Sequence, residues 1–368
     1  MKKLNICLVS LTIAPDRERS GFEGILNYLK KQKHNVQLIT GKWNVELNDP
    51  NIIQIELIKK RFLWGIHFNL KAAQLLRNIK DDFDVFHGNG SKGTLPIIFS
   101  NQKRFISTIH DLGPFEAKFT SIPIEKHLIK YVMRKATYIT TPSDFTKKGL
   151  IQYIPKTDNK KIYTLYNGIE AKFKPYPEKS QELKRELNIE GPVILYIGRI
   201  ANYKGVESII EAYRLARNKI KDLNLVIGGN PDYNMIKIYK EWKSKYKDIH
   251  FMGFIPEKQV PLYYSMSDIL IAYSSSSEGF GNTPLEAIAC GTPTICSSLK
   301  VYREILQDNA IFVPPKSPQL LANEIIRVLK DNDFKNNSVQ KAQKFIERYT
   351  WDAVGKKLEE VYQNLLDN

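Results

Sequence analysis

Short apolar runs alternate with longer amphipathic stretches along the whole chain, the rhythm of strands and helices wound around a parallel sheet. In the first half, residues 4–11, 36–40, 84–87, 105–109 and 138–140 predict strands, and residues 24–32 and 68–79 predict helices between them. The stretch 162–170 runs into Phe173-Lys174-Pro175-Tyr176-Pro177, where two prolines without a helix signal predict a linker. The same grammar then restarts. Residues 193–197, 223–227, 249–252, 269–273, 294–296 and 311–313 predict strands, and 206–216 and 285–290 predict helices. The last amphipathic segment, 351–366, has no strand after it. The expected organisation is α/β, with domains at residues 1–172 and 173–350 and the helix 351–368 packed back on the first. Each domain is expected to be a doubly wound parallel sheet, with ligands at the carboxyl ends of its strands and the two halves facing a central cleft.

The length of 368 residues, with 42% hydrophobic and 26% charged residues, fits two globular domains and excludes collagen-like or wholly disordered chains. No run approaches the ~18 apolar residues of a spanning helix. Lys2-Lys3 before an apolar stretch imitates a signal peptide. No small-residue cleavage site precedes Pro15, however, and the charged Asp16-Arg17-Glu18-Arg19 follows, so a buried first strand is the better reading. Cys7, Cys290 and Cys296 have neither metal nor disulfide spacing, which points to a reducing, cytoplasmic compartment. The net charge of +16 is uneven. Residues 1–172 carry 28 Lys and Arg against 15 Asp and Glu, and the remainder carries 27 against 24. The first half either faces an anionic partner or reflects a Lys-rich composition.

The most informative stretch runs from Ser274 to Gly291 and contains Glu278-Gly279-Phe280-Gly281-Asn282-Thr283-Pro284-Leu285-Glu286. It follows a strand and leads into a short helix, with Pro284 suited to the helix start and Glu286 in its first turn. Two carboxylates can accept hydrogen bonds from sugar hydroxyls, and the glycines let backbone N–H groups approach a ligand. Alternatively, Glu286 complements the helix dipole and the glycines only turn the chain. A second stretch, Gly198-Arg199-Ile200-Ala201-Asn202-Tyr203-Lys204-Gly205, puts two cations at the positive end of a helix. A pyrophosphate would resolve that conflict, and so would offsetting by Glu207 in a solvated loop.

Together, the E-x7-E pair Glu278/Glu286 and the G-R-x4-K-G loop resemble the retaining GT-B glycosyltransferases of family 4 (glycosyl transferases group 1). The resemblance extends to Ser20-Gly21, Ile109-His110-Asp111, Pro142-Ser143, Asn167-Gly168-Ile169 and Gly253-Phe254-Ile255-Pro256. It implies two Rossmann-like domains and transfer of a hexose-type sugar from a UDP or GDP donor to a glycan or lipid-linked acceptor, with retention and without a metal or other cofactor. It also implies that Arg199 and Lys204 hold the diphosphate and Glu286 the ribose. Glu278, with the backbone at Phe280 and Gly281, would hold the donor sugar, and the Gly253-Phe254 loop would meet the base. Asn282, Thr283 and Gly21 would approach the phosphates, and His110 would sit beside the transferred sugar. Catalysis is thereby expected of Glu278, His110, Lys204 and Arg199. The first-domain loop departs from the family's Gly-Gly pair by reading Ser20-Gly21.

Other signals compete. Gly88-Asn89-Gly90-Ser91-Lys92-Gly93 matches G-x-G-x-x-G, with Asp111 beyond it, and keeps a nicotinamide-dependent oxidoreductase as a remote alternative. In the preferred reading this region, with His87 and Asn89, lines the acceptor side. A non-catalytic nucleotide-sugar-binding protein of the same fold is the other alternative. Asp82-Phe83-Asp84 precedes a strand and reads as a surface turn, and the six histidines show no metal spacing. Lys59, Lys60, Arg61, Phe62 and Trp64 mix cations with aromatics and suit an anionic membrane surface, which would make the protein peripheral at the cytoplasmic face. A solvated helix face is the plainer reading. No nucleic-acid-binding motif is present, and no nucleic-acid partner is expected.

Overall fold

The computed structural model describes residues 2–12, 21–42, 47–58, 60, 63–116, 124–276 and 278–367. The chain forms two compact units, Met1–Gly168 with Tyr349–Asn368, and Ile169–Arg348.

Among the described residues, the first unit holds seven parallel strands: β1 (Asn5–Ser10), β2 (Asn35–Lys42), β3 (Ile52–Glu56), β4 (Val85–Asn89), β5 (Ile106–Thr108), β6 (Tyr138–Thr141) and β7 (Ile162–Thr164). Their order is β3-β2-β1-β4-β5-β6-β7. Strand β1 shows why this sequence makes a buried strand. Ile6 and Leu8 enter one core cluster while Cys7 and Val9 enter the other, so the two-residue period fills both faces. The edge strand β3 is not announced by the apolar pattern. Its first four side chains are only part-buried and Glu56 is exposed, as befits an edge.

The helix Trp351–Asp367 belongs to this unit. Val354, Leu358, Val361, Tyr362 and Leu365 are buried with Phe22, Leu26, Ile6 and Leu8 in one cluster. Burial of each such large side chain stabilises by about 1.5–3 kcal/mol. The approach to the helix Gly21–Lys31 is close enough to require glycine at two points. A Cβ at Gly24 would lie 2.0 Å from the Trp351 ring, and one at Gly355 would lie 2.3 Å from the Tyr28 ring.

Among the described residues, the second unit holds six parallel strands: β8 (Val193–Ile197), β9 (Asn224–Gly228), β10 (Ile249–Gly253), β11 (Ile269–Ala272), β12 (Thr294–Ser297) and β13 (Ile311–Val313). Their order is β10-β9-β8-β11-β12-β13, so the winding reverses between β8 and β11 as it does between β1 and β4. Strand β8 repeats the logic of β1, with Ile194 and Tyr196 in one core and Val193, Leu195 and Ile197 in another. The two sheets form two Rossmann-like domains, as the sequence pattern predicts.

One local expectation is corrected. The Phe173–Pro177 stretch is not helix-free connecting chain, because Pro177 opens the helix Pro177–Glu186 and Phe173 is buried in the second unit's core. Proline at the first helical position leaves out an N–H that would be unpaired there anyway, and Glu178 follows in the positive first turn.

Candidate functional site

In the second unit, the loops after β8 and β11 leave neighbouring strands at the point where the sheet order reverses. Crevices of open α/β sheets lie at such points. Ser275 clamps the two loops together, its N donating to Tyr203 O at 2.6 Å and its Oγ to the same oxygen at 3.2 Å. The chain turns into the helix Val206–Arg217 at Gly205, whose φ of 64° and clearance require glycine. A Cβ there would stand 2.1 Å from Tyr273 O.

This clamp joins the two sequence motifs. Lys204 Nζ lies 2.5 Å from Glu278 Oε1, with side-chain exposures of 21% and 14%. Ser274 Oγ donates to the same carboxylate oxygen. The Lys204 ammonium also lies 5.2 Å from the centre of the Tyr203 ring. Burial first and the Glu278 charge second push the phenols of Tyr196 and Tyr302 well above their usual range. The Cys296 thiol is pushed up by the same two causes. These groups stay neutral and leave Glu278 and Lys204 as the facing charges. Arg199 is more open, donating to Tyr203 Oη at 2.6 Å and pairing with Asp232 at 3.5 Å. Glu278 pairs with Lys204 and Asp232 with Arg199.

Glu286 is buried, at 5% exposure, and accepts a 2.9 Å hydrogen bond from Tyr264 Oη on Oε2. It sits later in its helix than Pro284 suggested. The helix spans Asn282–Ala289, so Glu286 is its fifth residue, outside the first turn. Asn282 and Thr283 open that helix, where backbone N–H groups suit an anion. Gly281 precedes them with φ 114°, and Phe280 turns its ring into the interior at 5% exposure. At the end of β10, Gly253 has φ 66° with open space where a Cβ would stand, and Phe254 is 49% exposed.

In the first unit, the ends of the adjacent strands β1, β4 and β5 bring together Ser10, Asn89 and His110. His110 Nε2 and Asn89 Oδ1 are hydrogen-bonded. Asn89 Nδ2 donates to Ser10 Oγ at 2.9 Å. Burial lowers the His110 pKa, against the opposing pull of the Asp111 carboxylate. Gly21 is the first residue of the helix Gly21–Lys31, and Ser20 lies outside the described residues.

His87 is corrected from an acceptor contact to a core residue. It is fully buried, with Nδ1 2.9 Å from Tyr362 Oη and Nε2 2.7 Å from Thr108 Oγ1. Both ring nitrogens are engaged, and burial with the nearby His110 pushes its pKa down to about 3. Asn89 likewise spends both ends of its amide inside the protein. Sequence reasoning does not reach Ser10, Tyr203, Asp232, Tyr264 or Ser274. Of these, only the serine run after β11 and the tyrosine beside Lys204 lie within the motifs themselves.

Two glycines of the G-x-G-x-x-G match, Gly88 and Gly93, have packing roles. A Cβ at Gly88 would lie 2.4 Å from Thr94 Oγ1, and one at Gly93 would lie 2.3 Å from Val9 O, so both seat the helix Gly90–Phe99 on the sheet. Lys59, Arg61 and Phe62 lie outside the described residues. Lys60 is exposed, while Trp64 donates its indole N–H to Ile58 O at 2.5 Å. Among the described residues, no helix is long and apolar enough to cross a membrane.

Two family models divide the chain between them. "Glycosyltransferase Family 4" matches residues 22–173, and "Glycosyl transferases group 1" matches residues 179–345. The chain belongs to the GT-B glycosyltransferases of family 4. It is 26% identical to the glycosyltransferase MJ1607 of Methanocaldococcus jannaschii, over 93% of this chain and 92% of that protein. It is 24% identical to the alpha-monoglucosyldiacylglycerol synthase of Acholeplasma laidlawii, over 87% and 86%. The sucrose-phosphate synthase of Thermosynechococcus elongatus has the same fold, with a TM-score of 0.83 at 20% identity, over 99% of this chain and all of that one. As a glycosyltransferase, the protein works on a nucleotide-sugar donor and an acceptor. The oxidoreductase alternative is therefore set aside.

Proposed function

We propose that the protein transfers a hexose from a UDP or GDP donor to a glycan or lipid-linked acceptor, with retention at the anomeric carbon. The observation that carries this reading is the Lys204–Glu278 pair at the switch point of the second sheet, with Arg199 and the N-terminus of the helix Asn282–Ala289 contributed by the same loops. In the proposed assignment, the diphosphate draws Lys204 and Arg199, and the donor sugar's hydroxyls take the place of the ammonium at Glu278. The ribose hydroxyls meet Glu286, which also accepts from the Tyr264 phenol. The exposed Phe254 beside Gly253 meets the base.

As the bond from the anomeric carbon to the phosphate oxygen breaks, negative charge grows on the leaving diphosphate. Lys204 and Arg199 stabilise that charge, each charge-assisted contact contributing about 1.5–3 kcal/mol. The acceptor oxygen bonds to the same face of the anomeric carbon, and its proton passes to an oxygen of the leaving phosphate. No dedicated protein base and no metal take part. His110 contacts the transferred sugar.

A lipid-linked acceptor fits the first unit's surface. Ile66 and Leu70 lie one turn apart on the helix Trp64–Asn78 and are 60% and 63% exposed, in a half of the chain with a large cationic surplus. Apolar side chains among cations suit an anionic membrane surface at the cytoplasmic face. The A. laidlawii relative is named for a glycolipid product. The test is a panel of UDP- and GDP-hexoses with glycan and diacylglycerol-type acceptors, with chelator, scored by proton NMR of the product's anomeric signal. Transfer with the donor's configuration supports the proposal, and an inverted product or no transfer from any donor overturns it.

A further inference from the structure

The polar groups at the ends of β1, β4 and β5 form a chain of donors and acceptors with one fixed end. The carbonyl oxygen of Thr12 only accepts, and Ser10 Oγ donates its single proton to it at 2.8 Å. Ser10 Oγ must therefore accept from Asn89, which turns the amide's NH2 toward Ser10, at 2.9 Å, and its oxygen toward His110. An amide oxygen accepts only, so the His110 nitrogen that meets it, Nε2, must carry the proton. The backbone carbonyl at the far end of this relay thus sets the tautomer of a histidine ring. Among the described residues, no group is hydrogen-bonded to the other ring nitrogen, Nδ1.

The surroundings agree. His110 is only part-exposed, and burial opposes its protonation. Among the described residues, the charged group acting on this ring is Asp111, whose carboxylate favours the cation, while the nearby His87 is kept neutral by burial. The Asp111 carboxylate is itself engaged, accepting from Gly113 N at 2.8 Å. A neutral amide facing Nε2 leaves the ring uncharged, whereas a carboxylate there would pull a second proton onto it.

We propose that Asn89 is a positioning residue: anchored through Ser10 on the Thr12 carbonyl, it holds His110 as the neutral Nε2–H tautomer and leaves Nδ1 as the acceptor for a hydroxyl of the transferred sugar. The proposal rests on the reading of His110 as a substrate contact. It replaces the expectation that Asn89 itself binds the acceptor. In this arrangement His110 accepts a hydrogen bond from the sugar without carrying a charge.

The test uses the full-length protein labelled with nitrogen-15 in histidine, the His110 signals being assigned by their loss in His110→Gln. Wild type is expected to show Nε2 protonated and Nδ1 bare from pH 8 down to pH 6.5, where an ordinary histidine is half charged. Asn89→Ala is expected to release the tautomer and lower kcat by about ten-fold or more, with the donor KM nearly unchanged. Asn89→Asp is expected to charge the ring near neutral pH. Its transfer rate should then fall as pH drops through 7 and recover as pH rises, a limb wild type lacks. Ser10→Ala, which frees the amide to turn over, is expected to mix the two tautomers.

An Nδ1–H tautomer in wild type, or a His110 that titrates near its ordinary value, would overturn the relay. A tautomer unchanged in Asn89→Ala would do the same. A changed tautomer with unchanged kcat and pH profile would overturn the positioning role. Absence of sugar transfer by wild type would instead refute the proposed function, while the NMR spectrum would still decide the tautomer.

Discussion

Lys204 Nζ rests 2.5 Å from Glu278 Oε1, so in the proposed site the ammonium assigned to the diphosphate faces the carboxylate assigned to the sugar. The two residues are 74 positions apart and are brought together by the clamp between the loops after β8 and β11. Donor binding in the proposed site exchanges one contact for two, ammonium to phosphate and carboxylate to hydroxyls.

This exchange separates two variants that would otherwise look alike. Lys204→Ala removes the cation and is expected to weaken nucleotide-sugar and free nucleoside diphosphate alike, by about 10- to 100-fold from a loss of about 1.5–3 kcal/mol. Glu278→Gln removes the competing carboxylate. Free UDP or GDP should then bind at least as tightly as to wild type, while sugar transfer falls. Isothermal titration with nucleotide and with nucleotide-sugar measures both, and parallel losses in the two variants would refute the exchange.

The loop that carries Lys204 depends on Gly205. Its left-handed φ and the 2.1 Å clearance to Tyr273 O leave no room for a Cβ. Gly205→Ala is expected to cost about 1–3 kcal/mol of stability and to weaken donor binding by shifting Lys204. Thermal unfolding and titration on the same preparation check the two effects together.

His87 is expected to make the first unit acid-sensitive. Its native pKa is pushed down to about 3, far below the ordinary 6.5, so the unfolded chain binds a proton that the native state refuses. Stability is then highest above pH 6.5 and declines as pH falls toward 3, with a slope of up to about 1.4 kcal/mol per pH unit from this group. His87→Gln is expected to flatten that slope while lowering stability at pH 8, since the bonds to Tyr362 and Thr108 are disturbed. Denaturant unfolding from pH 8 to pH 5 provides the comparison, and an unchanged slope would assign the acid sensitivity elsewhere.

The exposed pair on the helix Trp64–Asn78 gives the membrane proposal its own test. Ile66→Ser with Leu70→Ser is expected to reduce sedimentation with vesicles containing anionic phospholipid, with transfer to a water-soluble acceptor retained. Equal sedimentation of variant and wild type would remove this helix from any lipid contact.

The fold is legible because strands buried on both faces, such as β1 and β8, are unbroken apolar runs that composition alone picks out. Strand β3 escapes because an edge strand needs less apolar character. The helix Pro177–Glu186 escapes because its opening proline looks like a breaker, although proline followed by Glu178 is also helix-start chemistry. The second-unit motifs are legible because glycines, cations and carboxylates crowd a short span there. What joins them is not. Nothing local in the sequence says that Lys204 meets Glu278, that Tyr264 meets Glu286, or that His87 is closed off by Tyr362, 275 residues away. Strand pairing and helix return create those contacts, and a local reading of His87 sees only a polar residue near a strand end.

The most direct test of the donor site is titration of UDP- and GDP-hexoses, in excess chelator, onto wild type and Lys204→Ala. Wild type is expected to bind one donor saturably, and the variant to bind it at least about ten-fold more weakly. Equal affinity for the two proteins, or no binding of any donor to wild type, would contradict it.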